Sequence, residues 1–150
     1  MSPVDFKWQR NEPRVVQTII YVEPVAKGRP RSTVIAGHVH SYTPAKTRNA
    51  EAMIQAMIRT KARELGRFDA GVPIRLEATF YRERPKHLPK RVTMPVSRPD
   101  YDNYAKLLTD ALEKFVYAND SQITTALVRK RFVDVGGPPR IELKLEVDEQ

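Results

Sequence analysis

The sequence predicts a single α/β (α+β) domain: a mixed β-sheet with two main helices packed on it, in the order β-α-β-α-β-β. Three observations carry this. Four segments alternate apolar and polar residues with a period of two, two segments repeat apolar residues at helical spacing, and the stretches between them are dense in proline, glycine and charge. With 150 residues, 41% apolar and 29% charged, the chain is long enough for one core and short for two.

The elements follow in order. Residues 1–14 are polar, contain Pro3 and Pro13, and read as a tail or extension ahead of a domain spanning 15–150. Val15 to Val22 forms the first strand, with Val16, Thr18, Ile20 and Val22 on one side; Pro24 and Gly28-Arg29-Pro30 end it. From Thr47 to Leu65 the apolar stripe Ala50, Met53, Ile54, Met57, Ile58 and Leu65 predicts a helix, with Thr47 as N-cap and Gly66 as its stop. Ile74, Leu76, Ala78 and Phe80 alternate with Arg75, Glu77, Thr79 and Tyr81 in a second strand, and Pro85 and Pro89 mark the basic loop after it. A second helix is expected from Tyr104 to Phe115, its buried side formed by Tyr104, Leu107, Leu108, Ala111, Leu112 and Phe115. Its opposite face carries Lys106, Asp110 and Lys114 at i+4 spacing. Gln122 to Val133 reads as a third strand, Gly136-Gly137-Pro138-Pro139 as a turn, and 140–147 as a last strand whose Ile141, Leu143, Leu145 and Val147 alternate with charges. The last two strands are close enough in sequence to pair as a hairpin.

Charge is unevenly spread around a net of +8. No acid occurs from Pro24 to Arg48, and from Arg82 to Arg98 six cations face only Glu83. Such loops suit the phosphates of a nucleic acid, whose neutralisation releases counterions; a solvated basic face without a ligand is the competing account. Cysteine is absent, so disulfide and thiolate chemistry are excluded. No apolar run reaches the roughly 18 residues of a membrane span, and the N-terminus lacks the apolar core of a signal peptide, so no membrane partner and a cytoplasmic location are expected. A phosphate-binding Gly-x-x-x-x-Gly-Lys-Ser/Thr loop and a dinucleotide fingerprint are both missing, which argues against a nucleotide cofactor. His38, His40 and His87 are scattered in basic loops and suggest no zinc site.

The acids that draw attention are Asp100 and Asp102, immediately ahead of the second helix, and Asp120 after it. Carboxylates at i and i+2 project to the same side of an extended backbone, and a divalent cation relieves their repulsion while organising phosphate chemistry. Capping is the competing account: Asp102 or Asn103 can satisfy free N–H groups of the first turn, where acids also complement the dipole. A helix of about 12 residues rises about 18 Å, so Asp120 approaches the other two only if the chain turns back along it. The spacing alone leaves that open.

Arg98-Pro99-Asp100-Tyr101-Asp102-Asn103-Tyr104-Ala105-Lys106, then Asp110-Ala111-Leu112, then Asn119-Asp120-Ser121-Gln122-Ile123, closely resembles the RusA family of Holliday-junction resolvases (crossover junction endodeoxyribonucleases). Pro24 to Arg31 also looks like the form found in relatives from phages and Gram-positive bacteria. The likeness runs over about residues 17–147 in element order and is sharp from Arg98 to Ile123. It implies a RusA-like fold, a homodimer, branched double-stranded DNA as partner, and Mg²⁺ as cofactor with Mn²⁺ as a substitute. It further implies that Asp100, Asp102 and Asp120 hold the metal and that Lys106 stabilises negative charge at the scissile phosphate. Lys27, Arg29, Arg31, Lys86, Lys90, Arg91 and Arg98 are the expected contacts to the DNA backbone. Two departures stand out: Asn119 replaces an Asp of some relatives, and residues 1–14 have no counterpart in the shortest. The expected activity is Mg²⁺-dependent phosphodiester hydrolysis giving paired nicks at a four-way junction; the alternative is a non-catalytic basic module that binds such junctions.

Overall fold

The computed structural model describes residues 15–26, 31–42 and 45–149. The expected tail, residues 1–14, lies outside them, as do Lys27 and Arg29.

Among the described residues the element order is β1 (Val15–Ile20), β2 (Arg31–Ile35), β3 (His38–Tyr42), α1 (Ala45–Leu65), β4 (Ile74–Arg82), α2 (Tyr101–Leu112), a 3-10 turn (Asp120–Gln122), β5 (Ile123–Phe132) and β6 (Arg140–Val147). This is the expected α+β domain, with a mixed four-stranded sheet ordered β1-β6-β4-β5 and two main helices. β4 pairs parallel with β5 and antiparallel with β6, and β6 pairs antiparallel with β1.

Alternation in the strands decides which face meets the helices. Ile74, Leu76, Ala78 and Phe80 of β4 and Ile141, Leu143 and Leu145 of β6 are buried, as are Val16 and Ile20 of β1. The residues between them form the other face, where Arg75 bridges Glu77 at 3.3 Å and Glu146 at 3.5 Å, and Arg129 reaches Glu77 at 3.6 Å. These pairs are partly exposed, so each contributes only tenths of a kcal/mol and mainly keeps this face wet. The helices close the apolar side. Ile54, Ile58 and Leu65 of α1 and Tyr104, Leu107, Leu108, Ala111 and Leu112 of α2 are buried in one cluster with the strands, and the Tyr104 ring stacks on Phe80 with centroids 5.1 Å apart.

Several sequence expectations need correction. The last two strands do not form a hairpin: β5 and β6 lie on opposite sides of β4, and residues 133–139 cross over its end, where the Val133 N–H donates to the Arg82 carbonyl at 3.0 Å. That connection spans two inter-strand spacings, about 10 Å, which a loop of this length covers easily. The basic stretch after β1, expected as surface loop, contains the hairpin β2–β3. Its Ala36-Gly37 turn has positive φ at both positions (50° and 79°), the geometry of a tight hairpin turn.

Helix boundaries also move. α1 begins at Ala45, so Thr47 is a buried first-turn residue rather than the cap, and Met53, expected in the core, is 54% exposed. Gly66 does stop α1, at φ 67°. α2 begins at Tyr101, three residues before the expected Tyr104, because a largely exposed first turn leaves no mark in an apolar pattern. It ends at Leu112, after which Lys114 takes the left-handed φ of 71° and turns the chain back. Phe115 packs on the core from that turn and continues the apolar pattern without continuing the helix.

Leu108 is fully buried where α2 meets the sheet. Leu108→Ala is expected to lower the unfolding free energy by about 2–5 kcal/mol, and Met53→Ala by no more than about 0.5 kcal/mol. Urea denaturation of the two variants checks both.

Candidate functional site

α2 presents one polar face along its length. Asp102, Lys106, Asp110 and Glu113 follow one another at spacings of four, four and three, which stacks them on one side of a 3.6-residue helix. Asp102 and Lys106, with Tyr101, Ala105 and Thr109, line an open groove of about 510 Å³ whose other wall is Ala126, Leu127 and Val128 of β5.

Asp100 is the residue before α2, with extended backbone (φ −70°, ψ 151°), and its side chain makes no capping hydrogen bond. Asp102 accepts from the N–H of its immediate neighbour Asn103 at 3.1 Å, a contact one residue away rather than a cap on the second or third N–H of the turn. The capping account therefore explains little of this pair.

Asp120 does return to the helix, because of the left-handed turn at Lys114 and the residues packed after it. The Lys114 N–H donates to the Tyr117 carbonyl at 2.7 Å, which closes the turn. Past it the fully buried Tyr117 ring lies against the helix, its hydroxyl donating to Asp120 Oδ1 (2.7 Å) with the Thr109 carbonyl (3.1 Å) sharing the same hydrogen. Burial first, then the neighbouring Asp120 carboxylate, pushes the Tyr117 phenol far above its usual range, so it remains a protonated donor.

The 3-10 turn fixes Asp120 from the other side. Asn119 Oδ1 accepts from the Ser121 N–H at 2.8 Å, and Gln122 Oε1 accepts from the N–H groups of Ala118 and Asn119 at 3.0 and 3.1 Å. Gln122 Nε2 in turn donates to the carbonyls of Asp69 and Val72 at 3.0 and 3.2 Å. Asn119, the departure from an acidic neighbour, thus has a structural role, capping the turn that carries Asp120.

The result is a carboxylate cluster further down the helix than the sequence pattern suggests. Oxygens of Asp110, Glu113 and Asp120 lie within 4.8 Å of one another. Lys106 joins them, with Nζ 3.0 Å from Asp110 and 3.9 Å from Asp120 Oδ2. Asp102 sits eight residues before Asp110, about 12 Å along the axis. The structure therefore brings Asp120, Lys106 and Asp110 together, and leaves Asp102 at the opposite end of the same helix face, with Asp100 just ahead of the helix.

From the sequence, Asp110 is given no site role, only a place in the i+4 ladder and the family motif, and Glu113 is missed altogether. Its signal is present as the i+3 position after Asp110 and i+7 after Lys106, but the i+4 ladder that ends on Lys114 hides it. The Glu113 carboxyl is raised from its ordinary value, first by its hydrogen bond with Asp120 and then by the negative charge of Asp120. Two carboxylates so close share a proton, or accept a cation in its place. The donor set fits a hard divalent ion: carboxylate oxygens whose ligand-to-ligand spacing around Mg²⁺, with bonds of about 2.1 Å, is about 3–4 Å. Small side-chain movements would close the observed spacing.

The basic candidates divide. Lys86, Lys90, Arg91 and Arg98 are exposed, and Arg31 lies in β2, its side chain outside the described residues. Arg84, in the same basic loop, is instead a structural clamp: it donates to the carbonyls of Val92 (2.9 Å), Pro89 (2.7 Å) and Val133 (3.3 Å). No helix among the described residues is long and apolar enough to cross a membrane.

Comparison with known proteins gives two findings. A family model described as Endodeoxyribonuclease RusA matches residues 22–146, a span that contains every acid of the α2 face and both basic loops. The chain is also 30% identical over 143 residues to Uncharacterized protein YqaN of Bacillus subtilis (strain 168), covering 87% of this chain and 94% of that protein.

Glu113's raised pKa sets a pH test. Its folded value lies above the ordinary 4.5, so the folded chain holds this proton more tightly than the unfolded chain does. The resulting stabilisation is present below about 4.5 and is lost as pH rises through the raised value. A divalent ion needs the deprotonated form, so the rise in melting temperature on adding Mn²⁺ should grow from about pH 4.5 towards neutrality. Asp110→Asn with Glu113→Gln should abolish most of that rise; calorimetry across the pH series checks it.

Proposed function

The chain belongs to the RusA endodeoxyribonuclease family, and from that premise we propose that it is a structure-selective endodeoxyribonuclease resolving four-way DNA junctions by Mg²⁺-dependent phosphodiester hydrolysis. The observation that supports this most is the polar face of α2, where carboxylates flank a lysine within the matched span and beside exposed basic loops.

In the proposed mechanism the scissile phosphodiester lies along this face with Lys106 near its centre. Asp120, supported by Asp110 and Glu113, and the Asp100–Asp102 pair at the start of the helix are the carboxylates that would hold divalent ions. Such an ion, when bound, supplies Lewis acidity at a phosphate oxygen and makes water a better nucleophile at neutral pH. Lys106 exchanges its contacts with Asp110 and Asp120 for a non-bridging phosphate oxygen, where its charge opposes the negative charge that builds up in the transition state. Tyr117 holds Asp120 through a neutral donor, which orients the carboxylate without adding a charge to the cluster. Lys86, Lys90, Arg91 and Arg98 supply sequence-independent attraction to the duplex arms, together with Lys27, Arg29 and Arg31. Two-fold pairing of the chain belongs to the same proposal: a four-way junction offers two equivalent strands, and a C2 dimer places one site on each.

The test compares a mobile four-way junction with a matched linear duplex, using wild type and Asp102→Asn, in Mg²⁺ and in excess chelator. Paired nicks confined to the junction are expected, lost by about 10²-fold or more with the substitution or the chelator, while junction binding persists. Tight junction binding by folded wild type without cutting in Mg²⁺ or Mn²⁺ would replace this with a non-catalytic binding module.

A further inference from the structure

Lys130 stands opposite Phe80 in the parallel β4–β5 ladder, and Phe80 stacks on Tyr104 of α2. Residue 130 therefore occupies the face of the sheet that carries α2, beside the start of that helix. Its Nζ donates to two backbone carbonyls, Ser97 at 2.9 Å and Pro99 at 2.8 Å. The intervening carbonyl, that of Arg98, accepts from Arg82 Nη1 at 3.2 Å, and the Arg82 guanidinium lies over the Phe132 ring at 5.5 Å. Three consecutive carbonyls leading into Asp100 are thus held by two cations rooted in neighbouring strands of the sheet.

This arrangement works against helix stability. The N-terminus of a helix carries partial positive charge, and a cation beside it is unfavourable by tenths of a kcal/mol or more. The usual device at such a terminus, a side-chain cap, is missing at Asp100. The chain has replaced a local cap with a long-range clamp, which fixes where the helix begins relative to the sheet and to the groove wall of Ala126, Leu127 and Val128. A charge-assisted bond to each carbonyl is short and directional, so the clamp sets position and not merely proximity.

We propose that Lys130, assisted by Arg82, is a positioning residue that orients Asp100 and Asp102 for phosphodiester hydrolysis. This rests on the nuclease reading above, and Lys130 touches neither phosphate nor metal in it. Displacement of a reacting group by about 1 Å lowers rate by about 10²-fold. The full-length protein would be compared as wild type, Lys130→Met and Lys130→Arg for single-turnover cleavage of a four-way junction, junction affinity in chelator, and hydrogen exchange of the amides from Asp100 to Tyr104.

The Met variant is expected to cleave about 10²-fold more slowly, to bind junction within about threefold of wild type because the amine it loses contacts no phosphate, and to exchange these amides faster. The Arg variant, which keeps two N–H donors for the two carbonyls, is expected to recover most of the rate. Cleavage by Lys130→Met at the wild-type rate overturns the proposal, and so does a rate loss fully accounted for by lost affinity, which would make Lys130 a DNA contact. If the Met variant does not fold, Lys130→Gln takes its place under the same criteria. Should wild type cut no junction, the nuclease reading fails, and exchange without substrate still decides the clamp: unchanged protection in the variant refutes it, faster exchange supports it.

Discussion

Because β5 runs parallel to its neighbour β4, the chain cannot turn directly from one to the other and must cross the sheet between them. That crossover is α2. It has two obligations: it covers the apolar face with Tyr104, Leu107, Leu108, Ala111 and Leu112, and it carries the chain back to the end of the sheet from which β4 set out. A helix fastened by one face has only the other to offer a ligand, so the charged residues of α2 and its C-terminal cap fall on the Asp102–Lys106–Asp110–Glu113 side. The topology of the sheet thus decides the geometry of the candidate site before any of its charges are considered.

The charges then need restraint, and two devices of different physical kind supply it. At the end of α2 a buried phenol donates to Asp120 while its own ionisation is suppressed by burial, so the restraint adds no charge to an already acidic cluster. Lys106 supplies the cationic contacts to that cluster, reaching both Asp110 and Asp120. At the start of α2 the restraint is cationic and acts on the backbone carbonyls of Ser97, Arg98 and Pro99, so the clamping cations spend their donors there rather than on the carboxylates of Asp100 and Asp102. Neither the phenol nor the clamp on the carbonyls sets a cation of its own against a carboxylate, which suits a site for a divalent ion or a polyanion.

The legibility of this fold in the sequence follows the strength of periodic burial. β4, β6 and the buried stripe of α2 are readable because each alternates or repeats against a fully buried face. The β2–β3 hairpin is not, since its described side chains are exposed on both faces and no burial contrast marks it; only the Val34-Ile35-Ala36-Gly37 run hints at a turn between strands. The pairing partner of β5 is not readable either, because proximity in sequence favours a hairpin and nothing local encodes that β4 separates β5 from β6. At the site, the motif residues are legible by resemblance, but Asp120's neighbours depend on a left-handed Lys114, a conformation that side chain does not advertise.

Lys114 shows why that signal is hidden and why the turn still forms. A lysine in the left-handed region is disfavoured by about 1 kcal/mol against its ordinary conformations, and glycine would avoid that cost. The surrounding contacts over-determine the turn: the Lys114 N–H is bound to the Tyr117 carbonyl, the Val116 N–H to the Leu112 carbonyl, and the Phe68 N–H to the Val116 carbonyl. Val116 and Tyr117 are completely buried, so an unwound turn would expose a valine and an aromatic ring, a loss of several kcal/mol that outweighs the local strain. The position of Asp120 is therefore set by the burial of Val116 and Tyr117 just upstream of it rather than by any preference of the acid itself.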